Sequence, residues 1–196
     1  MSWNDATKWE KDWWGTCQNT YGEETKQLLY AQKMGLKFFH DGKSPFCMDM
    51  EGRKVLDVGG GPVSLLLKCT NVVGTVVDPC SYPSWVYARY KVAGITLVKM
   101  KAEEMELYRY DLVLMYNVLQ HVKEPKKVIE NILNAGKEIR IFEWIDAGIS
   151  DGHLHNLTEE NLDRWLGGEG KVQFVDEHTA VGKAYFGIFV GRGQDG

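Results

Sequence analysis

Two aspartates and a run of glycines are the residues of this chain best suited to holding a ligand. Asp57 stands two residues before Gly59 in KVLDVGGGPVSLLLK (54–68), and Asp78 closes VVGTVVD (72–78) 21 residues further on. Adjacent glycines weaken strands and helices alike, so they are kept where backbone must turn tightly or approach something closely. Gly59 and Gly61 give that freedom, and Pro62 suits a first helical turn. A carboxylate ending the next strand can accept the hydroxyls of a ribose, so the pattern points to a bound adenosine.

Two classes of adenosine ligand compete. A dinucleotide wants G-x-G-x-x-G, with its third glycine at position 64, which is Ser64. Its pyrophosphate also sits against a helix N-terminus, where the charge of Asp57 would repel it. A carboxylate there suits an ammonium or a sulfonium. S-adenosylmethionine (SAM) carries both, together with adenosine and no phosphate. The charge pattern favours SAM, and an NAD-dependent oxidoreductase has both Ser64 and Asp57 to explain.

Acid–base chemistry has fewer candidates. His121 follows the apolar run YDLVLMYN (110–117), and Tyr116 lies at the end of that run. His153 and His155 share a loop beyond KEIRIFEWI (137–145), in which Glu143 lies. Either tyrosine or glutamate could orient an acceptor or satisfy loop amides. The H-x-H spacing lacks a third ligand at clear spacing, so no metal is expected. His40 and His178 have no comparable placement.

The elements that would carry these residues alternate. Strands are expected at 54–58, 72–78, 95–99, 110–117 and 137–145, and helices at 63–69, 82–93, 125–136 and 158–168. The helix at 125–136 begins on Pro125 and ends at Gly136, as helices prefer. Strand–helix alternation implies a parallel sheet covered on both faces. KVQFVDE and KAYFGIFVG follow with no helix between them and read as an antiparallel hairpin closing the sheet. Residues 1–45 break the alternation and look like appended helices. Trp9 and Trp13 share a helical face beside Trp14, and with Tyr21 they form either a packing face or a lid.

VLDVGGGP, the VVD ending at Asp78, AEEM (102–105) and YDLVLMYNVLQHV (110–122) resemble, in order and spacing, a class I SAM-dependent methyltransferase of the small-molecule group. The resemblance runs from about residue 53 to the C-terminus and includes HLHNLTEENLDRWL. It implies an α/β fold, a doubly wound, mostly parallel seven-stranded sheet with an antiparallel last strand. Residues 1–196 then form one methyltransferase domain, with 1–45 an appended N-terminal helical lid and 52–196 the SAM-binding core. It also implies that Asp57, Gly59 and Gly61 surround the methionine moiety, that Asp78 takes the ribose, and that Asn117 and Val118 lie beside the cofactor. The chain departs from the pattern at Val63, at Lys101 and at Gln120, so adenine contacts fall to Ala102 or Glu103.

Composition narrows the partner. Lys+Arg is 23 against Asp+Glu 27, and no basic platform of the kind that follows a phosphate backbone is evident, which disfavours nucleic acid. No stretch suits a membrane span, no N-terminal leader is evident, and the four cysteines are scattered without metal spacing, so a cytoplasmic protein with reduced thiols is expected. The reading is a methyltransferase moving the SAM methyl group to an oxygen or nitrogen of a small-molecule acceptor. YNVL after the fourth strand differs from the Pro-Pro-Tyr motif of similar enzymes that act on amino groups of nucleobases or glutamine. A different SAM-consuming reaction and a non-catalytic partner protein of the same fold are the alternatives.

Overall fold

A computed structural model describes residues 3–18, 20–40, 46–105, 109–177 and 180–192, with only the backbone of Tyr21. His178 and parts of the 1–45 segment lie outside the described residues. Two helices come first, α1 (Trp3–Trp14) and α2 (Tyr21–Lys33). A short strand, β1 (Met48–Asp49), pairs with β3 (Cys69–Thr70) apart from the main sheet. The main sheet uses β2 (Lys54–Val58), β4 (Val73–Asp78), β5 (Thr96–Lys99), β6 (Tyr110–Tyr116), β7 (Gly136–Ile145), β8 (Lys171–Glu177) and β9 (Ala180–Val190). Helices α3 (Ser84–Val92), α4 (Pro125–Ala135) and α5 (Glu159–Leu166) complete the chain.

The order across the sheet is β5-β4-β2-β6-β7-β9-β8. The pairs β5–β4, β4–β2, β2–β6 and β6–β7 are parallel, whereas β9 runs antiparallel to both of its neighbours. The expected seven-stranded sheet and hairpin are present. The antiparallel strand lies between β7 and β8, so β8 forms the edge. Order reverses at β2, and the carboxyl ends of β2, β4 and β6 converge there, where open α/β sheets bind ligands.

Alternation along the strands builds two cores. Leu112, Leu114 and Tyr116 of β6 face α2 and α3 through Leu29, Tyr30, Val86 and Tyr90. Val113 and Met115 face α4 and α5. On α4, Val128, Ile129, Ile132 and Leu133 recur at helical spacing and are essentially inaccessible. Each such burial contributes about 1.5–3 kcal/mol, which fixes α4 beneath the loop that follows β6.

Two local expectations are corrected. Residues 63–69 are not an α-helix. They form two 3₁₀ turns, Gly61–Val63 and Leu65–Lys68, separated by Ser64 at φ −46°, ψ 144°. The Ser64 hydroxyl accepts from the Leu66 amide at 3.0 Å and donates to Asp57, a local bond that competes with a helical ladder. Gly136 does not end α4 as a left-handed cap. Its φ is −117°, and the chain passes straight into β7. Glycine is needed there for room, because a Cβ would stand 2.6 Å from Val113 Cγ2 and 2.9 Å from Ile139 Cδ1. Gly136→Ala is therefore expected to cost roughly 1–3 kcal/mol, read as a lower urea midpoint, with an unchanged midpoint as the contrary result.

Candidate functional site

The glycine loop leaves β2 at Val58 and turns with Gly59 at φ +71° and Gly61 at φ +59°. A Cβ on Gly59 would lie 2.5 Å from Val118 Cγ2, so the turn is packed directly against the loop following β6. That second loop is held from below. Glu143, fully buried on β7, accepts from the amides of Val118 (3.0 Å) and Leu119 (3.2 Å). Asn117 sits at φ +55° between Tyr116 and that anchor. Burial pushes the Glu143 carboxyl up to about 8 despite these amides.

Two cavities open at this edge. The larger, about 750 Å³, is walled by Trp9, Trp14, Tyr30 and Trp144, with His121 and His153 on its rim. The smaller, about 90 Å³, lies between α1 and the ends of β4 and β6, bounded by Pro79, Ala102, Glu103 and Val118. Five residues line both and form the boundary, here the neck, where the two meet: Glu10, Gly59, Asp78, Asn117 and His121. Of the expected cofactor residues, Gly59, Asp78 and Asn117 thus meet at the neck, Gly61 lines the larger space, and Ala102, Glu103 and Val118 line the smaller.

Asp78 is buried and already accepts three hydrogen bonds, from Gly61 N (3.1 Å), Cys80 N (2.9 Å) and Tyr82 Oη (2.7 Å). A carboxylate has about four acceptor positions, so one is left for a ligand hydroxyl rather than two. Glu103 Oε1 accepts from the amides of Lys123 (2.8 Å) and Glu124 (3.2 Å) just before α4. Asn131 Nδ2 donates to the Ala102 carbonyl at 2.8 Å and steadies that wall.

Asp57 lies elsewhere than the sequence argument placed it. It is fully buried beneath the glycine loop and lines neither cavity, accepting from Ser64 and from Tyr116 Oη at 2.6 Å. Burial raises its carboxyl to about 7. Tyr116 is engaged in the same network: its hydroxyl donates to Asp57 and accepts from Leu65 N at 2.9 Å. Burial beside Asp57 keeps that hydroxyl protonated, so Tyr116 positions the glycine loop and is no base.

The histidines divide. His121 Nδ1 is 2.9 Å from the Gly152 carbonyl oxygen. A carbonyl only accepts, so Nδ1 carries the proton and Nε2 keeps its lone pair. Burial lowers the pKa of His121, holding it neutral. His153 stands edge-on to it at 4.8 Å, with Nδ1 3.2 Å from Ser150 Oγ. His155 lines neither cavity and donates from Nε2 to the Val122 carbonyl at 2.9 Å, a loop brace. Among the described residues, no group of three His, Cys, Asp or Glu could hold a metal ion, and no helix is long and apolar enough to cross a membrane.

Sequence reasoning missed Glu10. It comes from α1, where Trp14 Nε1 donates to Oε1 at 2.9 Å and His121 Nδ1 lies 3.6 Å from Oε2. A glutamate in a helix of alternating charge gives no sign of reaching a neck built by β2, β4 and β6.

A methyltransferase domain family matches residues 56–138. Among curated proteins, the bifunctional protein HldE of Desulfatibacillum aliphaticivorans is 27% identical over 163 residues, which is 80% of this chain and 32% of that one. The chain thus spans about a third of the length of that relative. The fold is similar to a 1,6-didemethyltoxoflavin-N1-methyltransferase of Burkholderia thailandensis, with TM-score 0.64, 16% identity, and coverage of 96% of this chain and 86% of that one. It is also similar to a SAM-dependent methyltransferase of Aquifex aeolicus, with TM-score 0.58, 18% identity, and coverage of 95% and 99%.

Proposed function

We infer from the family to which it belongs, the class I SAM-dependent methyltransferases, that this chain methylates an oxygen or nitrogen of a small-molecule acceptor. The observation that carries this reading is the pair of cavities joined at a neck whose walls include Gly59, Asp78, Asn117 and His121. The residues present fit the cofactor. Gly59 lets its turn pack directly on Val118, so both line the same space, Asp78 keeps one acceptor position for a ribose hydroxyl, and Ala102 and Val118 give the smaller space apolar walls. When bound, SAM supplies a methyl group already activated on a sulfonium.

The protein's own part is positioning and proton handling. The larger cavity falls within the ~300–1,000 Å³ usual for small-molecule sites, and its tryptophan walls suit a flat or largely apolar acceptor. Trp9 and Trp14 on α1 and Trp144 on β7 exclude water and restrict how an acceptor can lie. Bringing the acceptor atom within about 3–3.5 Å of the methyl group, in line, supplies much of the rate. His121, neutral with Nε2 free, takes the proton that a hydroxyl or ammonium acceptor must lose. His153 on the same rim contacts the acceptor.

Calorimetric titration with SAM, S-adenosylhomocysteine and NAD tests the reading. Micromolar binding of the two adenosyl ligands is expected, with no NAD binding, and Asp78→Ala is expected to weaken both adenosyl ligands about tenfold or more. Silence for both adenosyl ligands in the unmodified protein would overturn the enzyme reading and leave a non-catalytic protein of the same fold. Oxygen and nitrogen are proposed because His121 can take the proton that such an acceptor loses. Other solved structures of this fold include a carbon methyltransferase, so methylation on carbon would correct the acceptor atom and not the site.

A further inference from the structure

The sequence argument for a cationic ligand rested on Asp57, yet Asp57 lines neither cavity. The carboxylates at the neck are Asp78 and Glu10, the latter brought from α1. Every lysine lining either cavity has a partner: Lys26 with Glu23 at 2.7 Å, Lys183 with Asp146 at 2.8 Å, and Lys101 with Glu104 at 3.2 Å. His121, the one basic side chain beside Glu10, is held neutral by burial. The neck therefore holds two carboxylates and no permanent cation.

Its position specifies which cation fits. If the smaller space takes the adenosyl end of SAM and the larger takes the amino-acid end and the acceptor, the sulfur joining the two lies at the neck. We propose that Glu10 recognises the positive sulfur of SAM and ties α1 over the bound cofactor for as long as that charge lasts. This rests on the SAM reading of the site. Methyl transfer leaves the S–C bonding pair on sulfur, the acceptor takes the methyl group, and its proton goes to His121. The sulfur is then a neutral thioether, and Glu10 has lost its partner.

The attachment of α1 suits such a latch. Only Ala6 of the helix is buried, and Trp13 is 58% exposed. Trp9 rests on Gly152, where a Cβ would come within 2.5 Å of its ring, Trp14 covers Gly61, and Trp3 lies under Lys101 at 4.5 Å. A helix held by three ring contacts and little buried area opens at low cost, and its closure responds to one added ion pair. Through Trp3, Ala6, Thr7 and Glu10, α1 forms one wall of the smaller space, so a ligand there lies against it.

The test compares SAM with S-adenosylhomocysteine in the unmodified protein and in Glu10→Gln, by calorimetry and by hydrogen exchange over residues 3–14. The unmodified protein is expected to favour SAM by about tenfold or more, and the variant to lose most of that preference while its thioether affinity stays within about twofold. SAM is expected to protect α1 more than the thioether does, and the variant to abolish the difference. The pH dependence gives a third readout. Glu10 faces Asp78, Cys80 and Tyr82 beyond β4, Glu23 on α2, and His121, and burial raises its carboxyl to about 7. A cation favours the ionised form, so SAM affinity should rise from about pH 6 to about pH 8 while thioether affinity does not. An unchanged SAM preference in Glu10→Gln, or an equal loss for both ligands, would overturn the latch and leave the methyltransferase reading intact. Failure of the unmodified protein to bind either ligand would instead remove that reading.

Discussion

Raising the pH from about 6.5 to about 8.5 is expected to lower the folding stability of the ligand-free protein by on the order of 3 kcal/mol. The main cause is two fully buried carboxyls with no cationic partner, Asp57 pushed up to about 7 and Glu143 to about 8, and Glu10, raised by burial to about 7, adds in the same sense. In the unfolded chain both ionise near their ordinary values of 3.8 and 4.5. Across this window the native state therefore holds more protons than the unfolded state, so stability falls with rising pH until both groups have ionised. His121 and His153 act in the opposite sense, since their folded pKa values lie below 6.5, and above pH 6.5 each has only about 0.4 kcal/mol of that gain left. The carboxyls dominate above it. Urea midpoints at several pH values check the slope. Glu143→Gln keeps an acceptor for the Val118 and Leu119 amides while removing the titration, so it should flatten the upper part of the curve. Stability that rises over the window, or a variant with the original slope, would contradict the assignment.

Gly59→Ala is expected to reduce SAM affinity by about a hundredfold or more while leaving a folded protein. A left-handed φ of +71° costs a residue with a Cβ about 1–2 kcal/mol. The added carbon would also meet Val118 at 2.5 and 2.8 Å. Val118 cannot withdraw easily, because Glu143 holds its amide and Asn117 before it is fixed at φ +55°. The two loops must part, and the wall they share at the neck moves with them. Gly52→Ala is the control, since Gly52 has φ +79° but open space around a Cβ and lies in neither cavity. It should show the backbone cost alone, with SAM affinity retained. Equal affinity losses in the two variants would point to general destabilisation and against the cradle.

Much of this was legible in the chain. Strand–helix alternation gives a sheet with ligands at the carboxyl ends, and the spacing from Asp57 to Asp78 places the second carboxylate at the neck. The helix expected over 158–168 is α5, capped by Thr158, whose hydroxyl accepts from Asn161 N at 3.3 Å. Other features depended on bonds that no periodicity reports. Ser64 breaks the helix expected over 63–69 because its side chain is bound to Asp57 and to a neighbouring amide. The same bond, with that from Tyr116, turns Asp57 inward, so a residue chosen for its charge serves to anchor the loop. His121 and His155 each use one ring nitrogen on a backbone carbonyl, yet only His121 faces the cavities. Glu10 reaches the neck from α1, which docks there through Trp3, Trp9 and Trp14.

The insertion of β9 between β7 and β8 bears on how the protein assembles during synthesis. β8 is made before β9 but touches the sheet only through it, so it must wait for a later strand. Until then β7 presents an open row of amides and carbonyls, an edge that invites association with other chains. The parallel strands from β2 to β7 have no such dependence. Phe174 on β8 and Val181, Gly182 and Lys183 on β9 line the larger cavity. A nascent chain can thus form the half that carries the glycine loop first, and one wall of the larger cavity closes last.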